Sequence, residues 1–263
     1  TDLFSTMFLY NEFAIKYKNL SQIEEQARLL LRAEQNKQSI MTSIFGNVIK
    51  KGEGFEPPPE CLPRNDIGRW PEKWRKRIEE LKTMKEMAGG QRDNFDSVFS
   101  SLVDLAINDA YSASATVESS GYPEYSHRQR DLKPLCHRDF VYHNLIFHRG
   151  TAFLIDFEYC IQDSRVIDLA RFIRTTFIEH PWEISTAQKI ISVYQDKYPL
   201  SHMEKKLLSA VLLFPHDIWR IGHKWYFSGQ RKETLHHLLR RQYRFYHQKY
   251  QMLKKMEQGF LSL

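Results

Sequence analysis

The chain has 263 residues, 42% hydrophobic and 13% aromatic, enough apolar material for one large core or two small ones. No run approaches the roughly 18 uncharged apolar residues of a membrane span, and no basic segment followed by a short apolar run opens the chain, so neither a membrane-embedded nor a secreted protein is expected. The formal charge is +6, and the three cysteines, Cys61, Cys136 and Cys160, lack C-x-x-C spacing, which argues against a disulfide framework or zinc site and for a reducing cytosol.

Residues 5 to 17 and 20 to 40 read as helices, the second with Ile23, Ala27, Leu30 and Leu31 at helical spacing behind Ser21 as N-cap. From Gly46 to Gly68 the text turns to glycine, proline and charge, and Pro57-Pro58-Pro59 marks an extended connector. This connector divides an N-terminal region, 1–60, from the main domain, 61–263. Pro71 opens a charged helical run with Trp74, Ile78, Leu81 and Met84 as its apolar stripe, stopped at Gly89-Gly90. A further helix runs from about Phe95 to Ser112, followed by a loop around Gly121 and Pro123.

Two short apolar runs, Leu145-Ile146-Phe147 and Ala152-Phe153-Leu154-Ile155, then flank His148-Arg149-Gly150-Thr151, the pattern of a β-hairpin. Helices are expected again at about 164–179, 185–197, 202–227 with an interruption near Pro215, and 232–258. The fold class is mainly α, with one functional hairpin. The basic character is C-terminal: residues 201 to 263 hold 12 Lys and Arg against 4 Asp and Glu. A solvated helix face accounts for that charge, and nucleic-acid binding ranks last among the functions because no nucleic-acid motif accompanies it.

The chemistry-bearing residues surround the hairpin. Asp139 stands five residues before Asn144, and Asp156 stands twelve residues beyond Asn144, across the two strands. Phosphoryl transfer needs a group that orients a hydroxyl and oxygen ligands that hold Mg²⁺ against nucleotide phosphates, and an Asp, an Asn and a second Asp in this relation meet those needs. Glu158, two residues past Asp156, is a further candidate contact.

The run His137-Arg138-Asp139 to Asn144, with Asp156 and Asp168-Leu169-Ala170, resembles the aminoglycoside phosphotransferase and choline-kinase branch of the protein-kinase superfold. The segment Leu62-Pro63-Arg64-Asn65-Asp66-Ile67-Gly68-Arg69-Trp70-Pro71-Glu72-Lys73-Trp74 is similar to the CotS-type spore-coat family of endospore-forming bacteria, and Asp168-Leu169-Ala170-Arg171-Phe172-Ile173-Arg174 to its YutH-like members.

The resemblance implies a kinase-like C-lobe with Asp139 as catalytic aspartate, Asn144 and Asp156 as magnesium ligands, and His137 and Asp168 as supports of the catalytic loop. It also implies ATP and Mg²⁺ as cofactors of an active enzyme, a small-molecule hydroxyl as acceptor, spore-coat proteins as partners, and a life in the mother-cell cytoplasm ending in the coat. Two departures stand out. His143 occupies a position where the branch often has a small residue, and nothing before Asp139 reads as a β-rich nucleotide-roofing lobe with a Gly-rich loop and strand lysine. A coat component without strong catalysis is therefore one expectation, and an active phosphotransferase is the other.

Overall fold

The computed structural model describes residues 64–90, 93–141, 144–148, 151–177 and 181–261. The two helices read before residue 41 and most of the proline-rich connector lie outside these residues, as does His143. Helices α1 (Trp70–Ala88), α2 (Asn94–Ser119) and α3 (Tyr122–Leu132) come first. Four short strands follow: β1 (Leu135–Cys136), β2 (Leu145–His148), β3 (Thr151–Leu154) and β4 (Ile161–Gln162). Helices α4 (Val166–Thr176), α5 (Ile184–Lys197), α6 (His202–Leu213), α7 (His216–Tyr226) and α8 (Glu233–Leu261) complete the order.

The chain divides into two compact units. One gathers the segment ending at Ile67 with Arg128–Ile178 and Ala187–Pro199, and the other holds Gly68–His127, Glu179–Thr186 and Leu200–Leu263. The second unit is helical, and its elements follow from spacing. Trp70, Trp74, Ile78, Leu81, Met84 and Ala88 recur every three or four residues and are all buried, so α1 presents one continuous apolar face. Asp93 caps α2 by accepting the Asp96 N–H at 2.9 Å.

Helix α2 runs seven residues past the expected end at Ser112, because Ala113 and Val117 extend the buried row begun by Phe95, Phe99 and Leu102. The expected loop around Pro123 is in fact the first turn of α3. Proline fits there because the first helical N–H groups need no intrahelical acceptor. Before α6, Ser201 and Glu204 form a reciprocal capping box: the serine hydroxyl accepts the Glu204 N–H at 3.2 Å, and the glutamate accepts the Ser201 N–H at 2.9 Å. The break near Pro215 separates α6 from α7 as expected.

Aromatic rings fill this unit. Trp225 lies parallel to Phe95 with centroids 4.0 Å apart, and Trp74 stacks on Phe214 at 4.4 Å. Two carboxylates take phenol donors: Tyr226 donates to the buried Asp96 at 2.8 Å and Tyr246 to the half-buried Asp109 at 2.6 Å. Of the C-terminal rings, Tyr246 is thus an internal anchor, whereas Tyr243 and Tyr250 are exposed.

Gly222 of α7 marks a close helix contact. A Cβ there would meet Phe99 Cε2 at 2.6 Å and Met84 Sδ at 2.8 Å, both on fully buried side chains. Gly222→Ala is expected to cost about 1–3 kcal/mol through overpacking, measured as a lower urea midpoint with unchanged slope. No described helix is long and apolar enough to cross a membrane.

Candidate functional site

The site lies within the unit that holds the strands. β1 pairs antiparallel with β4, Leu135 opposite Gln162 and Cys136 opposite Ile161. That pairing brings the loop following β1 beside the segment that leads into α4. The loop then bends through Arg138, whose φ of 66° is a left-handed conformation costing a non-glycine residue on the order of 1–3 kcal/mol.

Asp168, in the first turn of α4, offsets that strain. Its carboxylate accepts the His137 N–H and the Arg138 N–H, each at 2.7 Å, so both oxygens grip the bend. The side chain is buried, and burial pushes its carboxyl up from the ordinary aspartate range, opposed by the two N–H donors.

His137 supports the loop from beneath. Its ring is buried, and Nε2 lies 2.8 Å from the Ile155 carbonyl, which can only accept. Nε2 therefore carries the ring proton, which leaves Nδ1 to accept the Asp139 N–H at 3.3 Å. The ring also meets Phe157 edge-on at 4.8 Å. One imidazole thus ties the loop of Asp139 to the strand end that precedes Asp156.

Asn144 connects the next pair. Its Nδ2 donates to the Asp139 carbonyl at 2.9 Å and to Asp139 Oδ2 at 3.2 Å, which leaves its Oδ1 for another partner. Its own carbonyl accepts the Ile155 N–H at 2.9 Å, one residue before Asp156. The expected hairpin is present, with β2 and β3 in register from Leu145 opposite Leu154 to His148 opposite Thr151. It carries the chain from Asn144 back to Asp156. There the backbone turns left-handed (φ 66°, ψ 65°) into a short 3-10 turn, Phe157–Tyr159.

The Asp156 side chain is exposed and takes no hydrogen bond among the described residues. The charges of Asp156 and Asp139 both reach the Tyr159 phenol, which is held up chiefly by its hydrogen bond with Glu158. Asn144 Oδ1 and the two aspartate carboxylates make an oxygen-only donor set suited to a hard divalent cation such as Mg²⁺. Among the described residues no group of three or more His, Cys, Asp or Glu side chains clusters as a metal site. Such a site here would rest on the asparagine and on phosphate oxygens from a nucleotide.

Sequence reading overlooked Arg171. It lies three residues after Asp168 on α4, hence on the same helix face, and its Nη2 donates to Asp139 Oδ1 at 2.8 Å. A basic residue one turn beyond the loop's supporting aspartate is the signal that points to it. The stretch before Trp70 also has a local task. Asn65 bridges in parallel to Gln162 of β4, and Asp66 lies 3.4 Å from the Arg138 guanidinium.

Burial raises the Cys136 thiol well above its usual value and lifts Cys160 to about 12, with the charges of Asp168 and Asp156 adding to the latter. In α7 of the other unit, Trp219 donates to Glu80 at 2.7 Å and Trp225 is buried in the core of that unit.

The fold is that of the kinase-like phosphotransferases. An aminoglycoside phosphotransferase from Alicyclobacillus acidocaldarius superposes with a TM-score of 0.74 at 20% identity, covering 86% of this chain and 67% of that one. A spectinomycin phosphotransferase solved with ADP and spectinomycin gives 0.51 at 13% identity over 84% of this chain and 65% of its own. Within that class the chain belongs to the spore-coat family described as "Spore coat putative kinase YutH", which matches residues 12–256.

Two relatives from Bacillus subtilis (strain 168) are Spore coat protein S and the Endospore coat-associated protein YutH. The first is 22% identical over 219 residues, 82% of this chain and 62% of that protein. The second is 26% identical over 188 residues, 69% of this chain and 52% of that protein. The chain thus spans less than two thirds of either relative.

Proposed function

We propose that this chain carries an ATP- and Mg²⁺-dependent phosphotransfer site that works in the spore coat. Asp139 orients the acceptor hydroxyl, Asn144 Oδ1 and Asp156 hold the cation, and His137 with Asp168 fixes the loop. Bound Mg²⁺ supplies charge neutralisation for the transferring phosphate. The observation that carries this reading is the double grip of Asp168 on the strained bend. It keeps Asp139 and Asn144 together, while the Asn144 carbonyl draws in the strand end before Asp156. The names of the two relatives support a place in the coat and other coat proteins as partners; synthesis in the mother-cell cytoplasm is part of the same proposal.

A second reading, a coat component without turnover, has one observation in its favour. Both Asp139 oxygens already accept hydrogen bonds, from Arg171 and from Asn144.

A thermal-shift titration of the full-length protein with Mg-ATP separates the two. Saturation at 100 times the dissociation constant is expected to add about 2.7 kcal/mol of stability, and Asp156→Ala to remove that gain while folding normally. Absence of any shift at millimolar Mg-ATP overturns the phosphotransfer reading.

A further inference from the structure

The Arg171–Asp139 pair is an unusual way to use a guanidinium. The contact is monodentate: Nη2 reaches Oδ1 at 2.8 Å, while Nε is buried with no hydrogen-bond acceptor among the described residues. A guanidinium presents a planar fork that matches a carboxylate or phosphate through two parallel N–H groups, and here that fork is not filled. The side chains of Arg171 and Asp139 keep 23% and 25% of their surface exposed, so a ligand in the site can reach the exposed part of each, while the Nε edge stays buried.

Charge decides what such a ligand is. A free carboxylate at Asp139 favours cationic acceptors, whereas Arg171 offsets that charge with a guanidinium of which one N–H is used on Asp139. Glu158 and Asp156 are the opposing negative charges, and Asp156 is the carboxylate assigned to the cation. We propose that Arg171 forms an anion subsite on the acceptor side of the phosphotransfer centre, so that the acceptor is a small hydroxy acid. Its hydroxyl goes to Asp139 and its carboxylate to the guanidinium. The position of the subsite rests on the phosphotransfer reading; the anion recognition does not. In the resting state Asp139 occupies the guanidinium in place of the ligand, so the two compete for it.

That competition gives a signature which a purely structural ion pair lacks. Asp139→Asn releases the guanidinium and is expected to tighten binding of D-glycerate roughly fivefold, the scale of freeing a partly exposed pair. Arg171→Met is expected to abolish glycerate binding, alone and in combination with Asp139→Asn. Arg171→Lys, which keeps the charge and loses the fork, retains part of it and guards against a folding defect in the methionine variant.

The measurement is calorimetric titration of the full-length protein at low ionic strength with D-glycerate, glycerol and ethanolamine, with and without Mg-ADP. Arg220→Gln, on the exposed face of α7 where Arg220 pairs with Asp217 at 3.1 Å, controls for non-specific anion binding. Glycerate bound by Asp139→Asn and lost in the double variant supports the subsite. No glycerate binding in Asp139→Asn, equal binding of glycerol, a preference for ethanolamine, or survival of binding without Arg171 overturns it. If Mg-ATP gives no thermal shift but the glycerate pattern holds, the phosphotransfer reading falls and the anion subsite stands.

Discussion

Asp168→Asn is expected to release the loop that carries Asp139, lowering local stability by roughly 2–4 kcal/mol. The aspartate uses one oxygen for the His137 N–H and the other for the Arg138 N–H, both at 2.7 Å. An asparagine of the same shape offers one oxygen and one NH₂ group, so one buried N–H faces a donor instead of an acceptor. The remaining bond also changes from charge-assisted to neutral, and the left-handed Arg138 loses the contact that offsets its strain. Hydrogen exchange reads this directly: protection of the His137 and Arg138 amides is expected to fall about 30- to 1000-fold, the equivalent of that free energy. Unchanged protection sinks the assignment of Asp168 as the support of the loop.

In the other unit the largest effect is expected at Phe95. Its ring is fully buried and lies parallel to Trp225, with Tyr226 edge-on at 5.8 Å and Phe99 at 6.1 Å. With His236 of α8 at 5.4 Å, three helices, α2, α7 and α8, meet at this ring, and rings of this size cannot collapse into the space it vacates. Phe95→Ala is expected to cost about 3–5 kcal/mol, and Phe95→Leu distinctly less because it refills part of the cavity. All five tryptophans, Trp70, Trp74, Trp182, Trp219 and Trp225, belong to this unit, so intrinsic fluorescence reports its unfolding. The fluorescence-monitored urea midpoint should drop sharply for the alanine variant. A drop of equal size for leucine contradicts a cavity as the cause.

These two sites also mark where sequence reading succeeds and where it stops. The helix carrying Phe95 was legible because an apolar row at helical spacing needs only local information. Its end was misjudged because alanine is compatible with both a helix end and a buried helix face, and only packing decides that Ala113 lies inside. Likewise, Pro123 signals a break when read alone and a helix start when its neighbours are in place. The β1–β4 pair escaped notice because two-residue strands have no periodicity to read.

What the sequence by itself determined is the inventory: Asp139, Asn144 and Asp156 at their spacings, the hairpin that returns the chain between the last two, and the apolar stripes of the long helices. Each is written in neighbouring residues, where side-chain period and chain reach leave few alternatives. Only the tertiary structure decided how those residues are held. Asp168 meets two amides 30 and 31 residues away, and Arg171 meets Asp139 across 32. Left-handed turns at Arg138 and Asp156 carry no glycine to announce them, because contacts distant in sequence, and not local preference, stabilise that backbone.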